Sequence, residues 1–291
     1  MSRDARLWTY LLCLTACWGS AFPLVRYAVA SLPPFALSAA RAAVSAAALA
    51  GFLWWRGALM LPSGRALRHM IVLGTINGWV PNVLTSLSLG EIESAPAALI
   101  QAAGPLIVAA LSALWLREER LSGLGLAALA VGFAGVALVL GPLAVRGGAT
   151  LFGGLCMLGT AASYACATIY ARRMRFPASA LTVLGLQVFS VIPSFAVSLL
   201  IDPPGTWSQA PEIWTVVVAL GILGSAVPLT LYLHLLTFAR ATDAALVSYL
   251  QPVWAILLGA VMLGELPDAR VLLGGAIVLV GVALAGQARP G

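Results

Sequence analysis

The sequence predicts an all-α membrane protein of ten transmembrane helices, built as two inverted five-helix repeats with both termini cytoplasmic. Three observations predict it: an extreme apolar composition, ten uncharged stretches of spanning length, and a repeat at an offset near 147 residues. Of 291 residues, 61% are hydrophobic and 9% charged, with a mean hydropathy of +1.00. A soluble domain carries about 25% charged residues. A chain this apolar has too little polar surface to cover itself in water, and lipid removes that requirement.

The stretches free of Asp, Glu, Lys and Arg run over 7–25, 42–55, 70–90, 94–116 and 121–145 in the first half. In the second half they run over 147–171, 176–201, 213–239, 244–264 and 271–288. A helix needs roughly 20 residues to cross a ~30 Å hydrocarbon core, and lipid forces each crossing segment to satisfy its own backbone. The first stretch begins like a signal peptide, and Leu14-Thr15-Ala16-Cys17 resembles a lipoprotein cleavage box. Its apolar run continues past Cys17 to Val25, and it has a partner in the second half, so it reads as a retained helix. The second stretch is short because Arg41 interrupts it; from Pro34 to Trp55 it is long enough. The third and eighth contain Pro81 and Pro228, and the fourth and ninth contain Pro105 and Pro252, all four expected to kink their helices. Cys13, Cys17, Cys156 and Cys166 all fall within spans and form no CxxC pair, so they read as small apolar residues.

Orientation follows from arginine. The chain has no lysine, and all 16 basic residues are Arg. Arg3, Arg6, Arg56, Arg65, Arg68, Arg117, Arg120, Arg172, Arg173, Arg175, Arg240 and Arg289 fall on one side of the predicted spans, and Arg26, Arg146 and Arg270 on the other. In short loops that imbalance marks the arginine-rich side as cytoplasmic. The net charge of +6 therefore reports orientation in a bilayer. A nucleic-acid partner would need a basic face on a soluble domain, and none is present.

The repeat is the most informative feature. Ala97-Ala98-Leu99-Ile100-Gln101 precedes Pro105, and Ala244-Ala245-Leu246-Val247-Ser248 precedes Pro252. Leu116-Arg117-Glu118-Glu119 corresponds to Leu263-Gly264-Glu265, and Gly135-Val136-Ala137-Leu138 to Gly281-Val282-Ala283-Leu284. Pro81 matches Pro228, and near an offset of 146 Trp18 meets Tyr164 and Arg41 meets Gln187. One unit thus fills 1–146 and again 147–291. Five crossings are odd, so the second unit enters the membrane upside down. That is the architecture of alternating-access carriers, whose site lies at the midplane between repeats.

Ala16-Cys17-Trp18-Gly19-Ser20-Ala21-Phe22 resembles the opening motif of the EamA family in the drug/metabolite transporter superfamily. Pro34 with Arg41, Pro105 followed by Glu119-Arg120-Leu121, and Pro252 followed by Gly264-Glu265 fit the same pattern. The resemblance covers essentially the whole chain. It implies a carrier of the bacterial inner membrane that moves small metabolites, commonly outward, and within the family it is similar to the YddG-type amino-acid exporters. The second copy departs from the pattern: Pro267 and Asp268 follow Glu265 where Arg120-Leu121-Ser122 stands in the first.

Polar and aromatic groups inside spans are the candidate substrate-binding residues, because lipid tolerates them only beside a partner or a cavity. Arg41, about 10 Å below the end of the second span, either attracts a substrate carboxylate, pairs with Glu91 or Glu93, or snorkels outward. Asn77 and Asn82 flank Pro81, whose missing donor frees carbonyls, and either contact ligand or satisfy that backbone. Gln101 lies one turn before Pro105, Gln187 occupies the repeat position of Arg41, and Ser248, Tyr249 and Gln251 precede Pro252. Trp18, Trp79, Tyr164 and Trp254, with Tyr232, lie away from helix ends; Trp8, Trp54, Trp55, Trp115, Trp207 and Trp214 read as interfacial belts.

No HExxH, GxSxG, P-loop or metal-spaced acidic cluster occurs, which excludes the common enzyme classes and implies no metal or cofactor. Acids sit at helix ends, and His234 is the one imidazole placed well inside a stretch. Facilitated diffusion or exchange of a neutral or aromatic amino acid is therefore the expected activity, with the bilayer and a small solute as partners. The alternatives are a multidrug or other metabolite exporter of the same fold, a channel, or a structural subunit. The sequence does not set the oligomeric state.

Overall fold

In the computed structural model, residues 3–60, 62–115, 122–174, 179–235, 238–239 and 241–287 are described. Among them, ten helices are long and apolar enough to cross a membrane: Ala5–Val29, Pro34–Trp55, Gly64–Glu91, Ser94–Leu114, Gly123–Gly141, Gly148–Ala171, Ala180–Ile201, Pro211–Leu235, Leu246–Leu263 and Ala269–Gln287. They are called the first to tenth spans below. No strand occurs among the described residues. Five of the spans start where the chain supplies a signal. Pro34 and Pro211 stand in the first turns of the second and eighth spans, where a missing N–H costs nothing. Ser63, Ser122 and Ser179 accept from the backbone three residues on and so cap the third, fifth and seventh.

The spans pair in sets that interchange the two copies. The second packs along the seventh, and the fifth along the tenth. The first packs on the ninth as the sixth packs on the fourth, and the third on the sixth as the eighth on the first. The fifth–tenth crossing is held by backbone proximity. A Cβ on Gly135 would stand 2.7 Å from the Gly274 carbonyl oxygen, and one on Gly281 2.6 Å from the Gly132 nitrogen. Only glycine allows that approach, the device by which helices associate in lipid without a hydrophobic drive. Between these outer pairs, Leu32, Leu37, Leu89, Ile100, Met157 and Leu220 form a buried cluster that joins both copies.

The prolines act in three ways. Before Pro81 and Pro228 the third and eighth spans widen into π-turns, Thr75–Trp79 and Ile222–Ala226. The Val80 N–H donates to the Thr75 carbonyl and the Val227 N–H to that of Ile222, the same register 147 residues apart. A proline offers no donor to the carbonyl four residues back, and one extra residue in the turn absorbs the mismatch. Pro105 accompanies a break: the fourth span divides into Ser94–Gln101 and Gly104–Trp115. Pro252 instead sits within an unbroken helix, Ala241–Leu263.

Candidate functional site

Arg41 reaches across the copies. Its Nε–H donates to Ser225 Oγ at 2.8 Å and its Nη2 to the Gly224 carbonyl at 2.8 Å, both in the π-turn of the eighth span. A π-turn leaves carbonyls without their usual helical donors, so it is a natural acceptor for a buried guanidinium. The expected pairing with Glu91 or Glu93 is not what the fold builds, because the side chain points sideways into the bundle, 9% exposed, and away from that end. Tyr164 of the sixth span lies close enough to interact with it electrostatically.

The repeat-related junction is built differently. Gln187 of the seventh span is buried, and its neighbours in that span, Ser190 and the Leu186 carbonyl, lie against Gly78 of the other π-turn. Its Oε1 has no hydrogen-bond partner among the described residues. The third span's backbone is served from the sixth: Ser163 Oγ donates to the Ile76 carbonyl at 2.7 Å, and Thr160 Oγ1 to that of Cys156 at 3.1 Å and of Pro81 at 3.4 Å. Ser86 takes the Asn82 carbonyl at 2.9 Å. These hydroxyls do the work that the sequence reading offered to Asn82, whose side chain is buried without a hydrogen bond among the described residues. Asn77 and Trp79, on the π-turn itself, are half-buried.

On the other side of the bundle, Gln101 is the last residue before the break in the fourth span and is half-buried. Tyr249 of the ninth span packs on the cluster that holds Ala102 and Ala103 at that break. Ser248 and Gln251 are half-buried beside it in sequence. Trp18 lies 5.4 Å from Tyr232 between ring centroids, joining the first and eighth spans. Gly19 lets the ninth span approach: a Cβ there would stand 2.8 Å from the Trp254 Cβ and 3.1 Å from the Gln251 carbonyl. Trp254 donates its indole N–H to Ser20 Oγ at 3.0 Å, yet it is 39% exposed and shares a helix face with Val261 at 82%. The structure thus brings Arg41 to Tyr164, Trp18 to Tyr232 and Tyr249 to the break, while Trp254 lies on the outer margin.

Both ends of the first span are tied across copies. At its far end Arg26 donates to the carbonyls of Leu89 and Gly90 and pairs with Glu265 at 3.5 Å; Glu265 Oε2 accepts from the Ser94 N–H at 2.9 Å. Four spans meet there, beside a vestibule of about 810 Å³ lined in part by Arg26, Glu93, Glu212 and Glu265. At the near end Arg6 donates to His234 at 2.8 Å and lies over the Phe238 ring. His234 is therefore exposed in the last turn of its helix, not well inside the span. The belt reading fits Trp8, Trp54 and Trp55, which are exposed, whereas Trp207 and Trp214 stack on each other. The Trp115 side chain and the turn with Glu119, Arg120 and Leu121 lie outside the described residues. Sequence reasoning missed Ser225, Gly224, Ser163 and Thr160. For Gly224 and Ser225 the signal is proximity to a paired proline: Ser225 stands three residues before Pro228, as Gly78 stands before Pro81, whereas Thr160 and Ser163 have no such mark.

Ten apolar spans, matched π-turns and a polar seam between two copies define a polytopic membrane protein of repeated architecture. The EamA-like transporter family matches residues 7–141 and again 151–287, and the chain belongs to this family. An uncharacterized transporter of Archaeoglobus fulgidus is 27% identical over 274 residues, covering 92% of each chain. The uncharacterized inner membrane transporter YedA of Escherichia coli K12 is 26% identical over 265 residues, 88% of this chain and 82% of that one. A crystal structure superimposes with a TM-score of 0.66 at 21% identity, covering 97% of this chain and 96% of the other, a likeness of fold.

Proposed function

We propose that this chain is a secondary transporter of the bacterial inner membrane that exports neutral or aromatic amino acids by alternating access. The observation that carries the reading is the pair of π-turns 147 residues apart, each at a junction with the other copy's second or seventh span. Broken or widened helices at mid-depth leave polar backbone where a solute can be held, and two-fold related copies can exchange shapes. Half-buried amides and rings at Asn77, Gln101, Tyr164, Ser248, Tyr249 and Gln251 supply donors, acceptors and apolar walls for a zwitterion. No span carries an acid well inside it among the described residues, which supports diffusion or exchange over proton coupling.

Two measurements test this reading. Purified protein in liposomes should show saturable uptake of phenylalanine or threonine, accelerated by the same amino acid on the opposite side. Flux of cationic drugs alone, or non-saturable flux, overturns the amino-acid carrier. The arginine imbalance further supports cytoplasmic termini. In a chain with its native cysteines replaced by serine, Gly64→Cys should react with an impermeant maleimide only from the cytoplasm and Ser208→Cys only from outside. Both reacting from one side would sink the inverted arrangement.

A further inference from the structure

Arg41 carries a charge that no carboxylate among the described residues balances. A guanidinium does not lose its proton in a protein, and burying a lone charge is expensive unless it is paired. Its two hydrogen-bond partners, Ser225 Oγ and the Gly224 carbonyl, are neutral dipoles. Among the described residues no carboxylate lies within ion-pair distance of it; the ion pair present is Arg26 with Glu265, at the end of the bundle. Nη1 makes no hydrogen bond among the described residues, and the neighbouring polar group is the Tyr164 phenol. The two bonds hold Nε and Nη2 toward the eighth span and so fix the direction of the guanidinium plane. A fork fixed in this way is suited to a planar anion.

Building on the transporter reading above, we propose that Arg41 is the fixed cationic pole of the transport site and that the carried solute supplies its counter-ion, a carboxylate. Specificity then rests on the acid group. A carboxylate without an ammonium enters the site; an amine without a carboxylate meets an unbalanced positive charge and is rejected. Because the guanidinium also holds the π-turn of the eighth span, a bound carboxylate bears on the junction between copies.

The test uses solutes of one size and shape: phenylalanine, 3-phenylpropionate, phenylalaninamide and phenethylamine. Each is measured as a competitor of phenylalanine uptake in liposomes and, separately, by the thermal stabilisation it gives the detergent-solubilised protein. On the wild type, 3-phenylpropionate should compete and stabilise, and the two amines without a carboxylate should do neither. Arg41→Gln should weaken the carboxylates about tenfold or more, with Arg41→Lys between the two. Ser225→Ala removes a holding bond and leaves the charge, so it should keep the preference for carboxylates. If Arg41 only joins helices, Ser225→Ala and Arg41→Gln act alike and the wild type does not separate acids from amines; that result overturns the proposal. Uptake of the amines as fast as phenylalanine overturns it while the transporter reading stands. Stabilisation by carboxylates without any uptake overturns the transporter reading and leaves Arg41 as the pole of a carboxylate-binding site only.

Discussion

The fourth and ninth spans share a pattern, an apolar run closed by Gln101 or Ser248 and a proline four residues later, yet one is broken and the other is not. In the fourth, the Ala103 N–H turns back to the Ile100 carbonyl at 3.1 Å and the helix restarts at Gly104. In the ninth, the helix runs through Pro252 without a break. The second and seventh spans differ likewise: Arg41 is bonded into the opposite π-turn, and Gln187 leaves its Oε1 without a partner among the described residues. Two copies of one unit therefore hold two shapes at once. A local difference accompanies the break, Gly104 before Pro105 where Gln251 precedes Pro252, and the unit as a whole accommodates both shapes. An alternating-access cycle requires that property: each copy takes the other's shape as the open side changes.

The largest effect expected from this comparison lies at the two prolines. Pro105→Ala returns an N–H to face the Gln101 carbonyl and favours a continuous fourth span. An interior proline disfavours a helix by about 3 kcal/mol, so the broken shape should lose most of its population and transport should fall about tenfold or more. Pro252→Ala acts on a helix already continuous and should raise the melting temperature while lowering transport far less. Equal losses from the two variants, measured as initial uptake rates in liposomes, would show that the break is incidental.

A smaller effect separates the first span from the sixth. Gly19 of the first copy stands where the second has Ala165, which is buried and accommodated. In the first copy the same Cβ would overlap the Trp254 Cβ and Cδ1 at 2.8 Å. Gly19→Leu should cost about 1–3 kcal/mol through overpacking, seen as a lower melting temperature in detergent. Ala165→Gly should cost about 1 kcal/mol or less, the helix-propensity difference. Were Gly19→Leu neutral, the first and ninth spans would be packed less closely than described.

Much of this architecture is legible in the sequence, because lipid imposes long uncharged segments and the repeat preserves its punctuation. The second span was read across Arg41 to the bounds it has, and Pro81 with Pro228 marked the sites of both π-turns. What escaped is what depends on distant partners. The acceptors of Arg41 lie 183 and 184 residues away and are a serine and a backbone carbonyl, which no local pattern singles out. Asn82 was offered as the group that satisfies the backbone near Pro81, but that role falls to hydroxyls on the sixth span, whose small size fits between close helices. The difference between Pro105 and Pro252 has one local mark, Gly104 before Pro105 where Gln251 precedes Pro252, since glycine beside proline weakens a helix further.

The smallest effect tests the ends of the first span against each other. Glu265 joins the Arg26 guanidinium to the N-terminus of the fourth span, so one carboxylate serves an ion pair and a helix start. The negative charge is favourable beside the exposed N–H groups and dipole of that helix. Glu265→Gln keeps an acceptor for the Ser94 N–H and removes the charge. Arg26 is about one third exposed, so the pair is screened and contributes roughly 1 kcal/mol or less. That corresponds to about 2–4 °C in melting temperature for a chain of this size class. The loss should shrink as salt rises from about 0.05 to 0.5 M, because screening weakens the wild-type pair and has little to act on in the variant. Arg6→Gln at the opposite end removes a bond to His234 and a contact over the Phe238 ring, neither involving a carboxylate. Its effect should vary less with salt. No loss, or a salt-independent one, in Glu265→Gln would mean that the screened ion pair is not what holds the four spans together at that end.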